Sequence, residues 1–204
     1  MNRKSFYWLI GMVVALTVIV SAFYFDDVVR NYMMAHQSRG LKTFMRNVSR
    51  FGDWPSHLVL GLILVAIAWL RGNKRWLRIF LCMLIAFVLA GMTARVVKIA
   101  TGRARPSVKT EEVVTGSRWA SKFHAFPSGH TAASTAFFAV LFFVNWRIAL
   151  ACLPIPLLIG FSRMYVAAHY LSDVVCAAIL GMVCAAISAW FLLKIRNPQS
   201  EIAN

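Results

Sequence analysis

Long apolar runs, broken by few charged residues, dominate the chain. They cover residues 6–25, 56–70, 76–97, 128–144, 148–161 and 171–193. A helix needs about 20 apolar residues to cross a bilayer, and an open segment in lipid must satisfy its own backbone, which a helix does. The pattern predicts an all-α polytopic membrane protein: a bundle of six transmembrane helices forming one domain over residues 1–204. The punctuation agrees. Asp53 can cap the second span and Pro55 suits an early helical position. Arg71-Gly72-Asn73-Lys74-Arg75 and Asn145-Trp146-Arg147 read as turns, and Pro154 and Pro156 should kink the fifth span. Between Asp26 and Asp53 the chain is mixed, and an interfacial helix with Val28, Val29, Tyr32 and Met33 on one face is expected. Val20-Ser21-Ala22 resembles a signal cleavage site. The apolar run continues past it through Phe25, and signal cores are only about 7–15 residues. The first run is therefore read as an uncleaved span.

Composition sharpens this. The chain is 60% hydrophobic and 14% charged, against about 45–50% and about 25% in soluble domains, with a mean hydropathy of +0.67. A soluble domain and a disordered chain are both excluded. Cys82, Cys152, Cys176 and Cys184 all lie inside apolar runs and read as small packing residues. The balance of 22 Lys and Arg against 7 Asp and Glu gives a charge of +15. No basic helix interleaved with aromatics is present, so nucleic acid is not the expected partner. Anionic headgroups and anionic substrates are. Arg3, Lys4, Arg71, Lys74, Arg75, Arg78, Arg147, Lys194 and Arg196 would share the side of the termini. Most basic residues would lie opposite, but the short turns are the better guide and favour cytoplasmic termini.

The candidate chemistry follows from parity, because the loops after spans three and five must share a membrane face. The first carries Lys98, Arg103, Arg105 and Pro127-Ser128-Gly129-His130; the second carries Ser162-Arg163, His169 and Asp173. Lys98 and Arg105 suit a phosphate, as a point charge and a planar fork, and alone would equally serve as headgroup anchors. Ser128 and Gly129 open a helix whose N–H groups can meet an oxyanion, or simply start that helix. His169 and Asp173 are four apart and share a helical face. Asp173 can fix the imidazole tautomer and leave the other nitrogen as nucleophile or base. Such a pair is commonly structural, but this one lies beside Arg163, His130 and further cations. His130, His169 and Asp173 could ligate zinc, yet the cations around them oppose it, and neither metal nor cofactor is expected.

Lys98-x6-Arg105-Pro106, Pro127-Ser128-Gly129-His130 and Ser162-Arg163-x5-His169-x3-Asp173 together resemble the three-part signature of the type 2 phosphatidic acid phosphatase superfamily, which includes vanadium haloperoxidases and bacterial acid phosphatases. The resemblance implies that His169 attacks phosphorus to form a phosphohistidine and that Asp173 orients it. His130 would protonate the leaving oxygen and then activate water. Lys98, Arg105, Arg163, the Ser128 side chain and the Gly129 N–H would hold phosphate oxygens. It implies a metal-independent membrane lipid phosphatase of the bacterial inner membrane, with its site on the extracytoplasmic side. The substrate, met among membrane lipids, would be undecaprenyl diphosphate, phosphatidylglycerophosphate or phosphatidic acid, or a lipid A phosphate. Haloperoxidases are soluble, which this chain is not. A transporter for anions or lipids is the rival from another class; it would more often show paired repeats with broken helices, and none is visible. The remaining polar residues carry blander expectations. His36 and His57 should be interfacial or solvated, His124 should be loop filler, and Arg95 and Arg103 should steer anions. Trp54, Trp69, Trp76, Trp119, Trp146 and Trp190 sit near span ends, as an aromatic belt would.

Overall fold

In the computed structural model, residues 3–108 and 119–193 are described. The basic tail with Lys194 and Arg196, and the middle of the loop after the third span, lie outside them. Among the described residues nine α-helices follow in order: α1 (Arg3–Tyr24), α2 (Asp26–Ala35), α3 (Arg39–Phe51), α4 (Trp54–Leu70), α5 (Lys74–Thr101), α6 (Gly129–Ala139), α7 (Trp146–Cys152), α8 (Pro154–Tyr165) and α9 (Leu171–Ser188). A 3₁₀ turn, Val140–Phe143, extends α6, and a π turn, Ala189–Leu193, extends α9.

Each of the six predicted apolar runs is helical, but they are unequal. Ser5–Tyr24, Lys74–Thr101, Trp146–Tyr165 and Leu171–Leu193 are long and apolar enough to cross a membrane. A fifth qualifies if α3 and α4, bent by 49°, count as one span, whereas Gly129–Phe143 is shorter. The chain is thus an integral membrane protein, all-helical among the described residues, which hold four or five candidate spans by length and composition. The expected interruption of the fifth run falls at Leu153, between α7 and α8, where Pro154 and Pro156 supply no N–H. Asp53 caps α4 as expected, accepting from the Trp54 N–H at 2.9 Å.

Small residues place the helices. On α5, Cys82, Ala86, Ala90 and Ala94 repeat every four positions and are fully buried. On α9, Ala177, Gly181 and Ala185 recur at the same spacing and are buried, and Ala189 continues the row into the π turn. They close on Ala132, Ala133 and Ala136 of α6, making α5, α6 and α9 the centre of the bundle. Lipid tails are as apolar as leucine, so close backbone approach, not hydrophobicity, must hold such helices together. A Cβ on Gly181 would stand 2.6 Å from the Ala132 carbonyl oxygen. α1 packs on α9 and leaves most of its apolar side chains exposed.

One buried polar residue corrects the sequence reading. His57 is neither interfacial nor solvated. It is 3% exposed, among the rings of Phe87, Phe137 and Phe138, with Nε2 3.2 Å from the Ser134 hydroxyl.

Candidate active site

Three chain segments meet at one end of the bundle, and their backbones explain how. Gly102, in the left-handed region at φ 57°, ends α5, its N–H returning to the Lys98 carbonyl. The chain then runs beside residues 122–125: the Arg105 N–H donates to the Lys122 carbonyl, and the Ala125 N–H to that of Arg103. The Lys98 ammonium closes the joint, donating to the carbonyls of Pro127 at 2.7 Å and His124 at 3.1 Å. The Ser128 N–H reaches the Asp173 carbonyl at 3.0 Å and so joins the α6 and α9 starts. After α8 the chain turns at Ala167, at φ 55°, a left-handed conformation unusual for alanine. That turn brings the His169 N–H back to the Arg163 carbonyl.

The result is a cleft of about 500 Å³ whose lining includes Lys98, Arg105, Gly129, His130, Arg163 and His169. Six of the eight residues expected at the site therefore line one space, although they span Lys98 to His169. Ser128 and Asp173 stand behind it, both fully buried. The Ser128 Oγ caps α6 and accepts from the Thr131 hydroxyl at 2.9 Å. The Nε atoms of Arg105 and Arg163 are buried without a hydrogen-bond partner among the described residues, and a phosphate oxygen would satisfy them. On the opposite flank the cleft is walled by Trp54, Gly91 and Met92. The Trp54 indole lies over Gly91, where any side chain would displace it. Trp54 is thus part of the cleft. Arg95 and His124 also line the cleft, so the His124 side chain is more than filler.

His169 is 3% exposed, with Nδ1 3.5 Å from Oδ2 of Asp173. Burial, stronger than the opposing pull of Asp173, lowers the imidazole pKa to about 4. At neutral pH the ring is uncharged and carries a lone pair. Asp173 is itself held on both oxygens. Oδ2 accepts from the Tyr170 N–H at 2.8 Å, and Oδ1 from Arg103 Nη1 at 2.7 Å.

That second contact corrects another expectation. Arg103 is not a diffuse attractor of anions but the centre of a closed network. Nη1 also donates to the Ser172 hydroxyl at 2.7 Å, and Nη2 to Asp26 at 2.7 Å. Its guanidinium stacks 4.4 Å from the Tyr170 ring centroid. Asp26 accepts further from the Ser172 N–H at 2.8 Å and hydroxyl at 2.6 Å. Burial opposes the Arg103 charge, but Asp26 and Asp173 outweigh it and raise its pKa.

Sequence reasoning also passed over the other contributions of residues 26–53. The single interfacial helix it expected is two, and both are fastened to the site. The Tyr165 hydroxyl donates to the His36 carbonyl and accepts from the Ser38 N–H. Arg163 Nη1 donates to the Ser49 hydroxyl. Asp53 Oδ1 faces His130 Nε2 at 3.6 Å. No local spacing announces such pairs, since each joins residues far apart in the chain.

A helical membrane bundle holding a cation-lined cleft against a buried His–Asp pair defines the class. Residues 76–197 match the family model of the PAP2 superfamily, and the chain belongs to that superfamily. It is 35% identical over 127 residues, 58% of its length, to a lipid A 1-phosphatase of Rhizobium johnstonii, covering 46% of that protein. A lipid A 1-phosphatase of Rhizobium etli is 36% identical over 112 residues, 52% of this chain and 44% of that one. The chain thus spans less than half the length of these curated relatives. Two solved structures share the fold. The PAP2-type phosphatidylglycerolphosphate phosphatase of Bacillus subtilis superposes with a TM-score of 0.71 at 21% identity, over 97% of this chain and all of that one. LpxE of Aquifex aeolicus superposes with a TM-score of 0.64, also at 21% identity, over 81% of this chain and 95% of that one.

Proposed function

We propose that the protein is a metal-independent membrane phosphatase that hydrolyses a phosphomonoester or diphosphate of a lipid. The observation that carries this reading is the convergence of Lys98, Arg105, Arg163, His130 and the His169–Asp173 pair on one cleft. His169 Nε2, free of Asp173, attacks phosphorus while the bond to the leaving oxygen breaks. His130 gives that oxygen its proton. Water then attacks the phosphohistidine, His130 takes the proton of the water, and inorganic phosphate leaves as the His169 lone pair returns. Lys98, Arg105, Arg163 and the Gly129 N–H neutralise the oxygens throughout, so that catalysis is chiefly positioning and charge stabilisation. Ser128 serves by holding the start of α6. The flank of Trp54, Gly91 and Met92 gives the acyl chains an apolar approach. The reading places six crossings in the bacterial inner membrane, cytoplasmic termini, and the cleft on the periplasmic side.

Undecaprenyl diphosphate, phosphatidylglycerophosphate and phosphatidic acid are the candidate substrates. The names of the Rhizobium relatives add the 1-phosphate of lipid A. One purified preparation assayed in detergent against all four, with and without excess EDTA, tests the proposal. Phosphate release that survives EDTA and is inhibited by orthovanadate is expected. Loss of turnover in EDTA, restored by magnesium, would overturn the mechanism.

A further inference from the structure

A second cavity, of about 240 Å³, lies against the first and shares His130 and Arg163 with it. Its other wall comes from α3 and the α4 cap, with Arg46, Ser49, Arg50 and Asp53. Arg46 and Arg50 are four apart and so project from one helical face. Both are exposed, and neither guanidinium has a hydrogen-bond or ion-pair partner among the described residues. Asp53 is the opposing carboxylate, but it is already engaged by the Trp54 N–H and faces His130. Two uncommitted planar cations against one committed carboxylate leave the cavity attractive to an anion. Ser49 lies between the two arginines in sequence and holds Arg163, so the helix that presents them also positions a wall of the catalytic cleft.

We propose that this cavity receives a second phosphate carried on the same lipid head group as the phosphate in the catalytic cleft. The chain would then select lipids with two phosphates over lipids with one. This deepens the function proposed above and rests on the cleft being a phosphate site. His130 and Arg163 line both spaces, so the two phosphates of one head group would lie on either side of the same two side chains. Each arginine can present two parallel N–H donors to a phosphate, and losing such charge-assisted bonds typically weakens binding about tenfold or more.

The test is calorimetric binding of non-hydrolysable phosphonates to the full chain in neutral detergent. Ethylphosphonate is compared with methylene-, propylene- and hexylene-bisphosphonate, whose spacers run from short to long. At least one bisphosphonate should bind about tenfold tighter than ethylphosphonate, and the double variant Arg46→Gln, Arg50→Gln should erase that advantage. Ethylphosphonate affinity reports in every sample whether the catalytic cleft is intact. The inference is overturned if no bisphosphonate outperforms ethylphosphonate, or if its advantage persists in the variant. It is also overturned if a few mole per cent of phosphatidylglycerol cancels the advantage in the wild type, since the cavity then holds a neighbouring lipid. Ethylphosphonate that fails to bind at all would instead refute the phosphate site itself, and both proposals with it.

Discussion

Asp173 is fully buried beside the His169 imidazole, and its Oδ1 is held by Arg103, which Asp26 holds in turn. Removing one partner of a buried ion pair costs about 3–5 kcal/mol, because the other charge is stranded. Arg103→Gln should therefore lose stability on that scale. Asp26→Asn is the gentler probe. It keeps the shape, removes one charge, and lies behind the cleft. We expect kcat to fall at least about tenfold with little change in KM, the pattern of an interaction felt in the transition state. Steady-state kinetics on one lipid phosphate would show this, and a pure rise in KM would contradict it. Arg163→Lys is a second residue-scale prediction. Lysine keeps the charge but cannot reach Ser49 and a phosphate with one fork. A loss of turnover of about a hundredfold is expected with the protein still folded; near-normal turnover would mean that Arg163 only decorates the end of α8. The positions of Lys98, Arg105, His130 and His169 were legible in the chain because the chemistry fixes residue type and spacing together. Arg103 was visible between Lys98 and Arg105, but its partners, Asp26 and Ser172, were not, because nothing local encodes a contact across 77 or 69 positions. His57 misled for the same reason. Beside Pro55 at a span start it reads as interfacial, and only Ser134 and three phenylalanines from other helices make it a core residue.

At the scale of elements, hydropathy was a good guide to where helices run and a poor one to how long they are. It missed that α5 continues past Val97 to Thr101, because Lys98 is charged and hydropathy counts it as an end. In space that extra turn carries the first motif into the cleft. It also drew the fourth run as one stretch to Val144, whereas the α-helix proper stops at Ala139 and tightens into a 3₁₀ turn. The rows of small residues on α5 and α9 decide the packing, and they yield a sharp prediction. Gly181→Val should cost about 3 kcal/mol or more, since the new side chain meets backbone atoms of Ala132 and Ala136 that cannot swing aside. A thermal melt of the purified protein in detergent measures it. Gly11→Val, on the exposed face of α1 with nothing nearby, is the matched control and should leave the melt unchanged.

For the whole molecule, the buried neutral His169 links stability to pH. Its pKa is 6.5 in a solvated chain and about 4 in the fold, so the unfolded chain binds the proton more readily between those values. The contribution of this site is complete above pH 6.5 and is lost as pH falls toward about 4. Melting temperatures recorded across that window should decline, and His169→Gln should flatten the decline by the share owed to this ring. An identical slope in the variant would assign the effect elsewhere.

The bond between Asp26 and Ser172 crosses 146 positions of the chain. During synthesis Asp26 emerges well before Arg103, and both then wait for Ser172 and Asp173, which arrive only with α9. Until then Arg103 has one counter-ion, Asp173 does not exist, and His169 has no carboxylate to face. A truncated product or a stalled nascent chain could insert into the bilayer, but it could not assemble this centre. The network thus acts as a completion check: this centre closes only once the chain has been made through Ser172 and Asp173 and the start of α2 has met the start of α9.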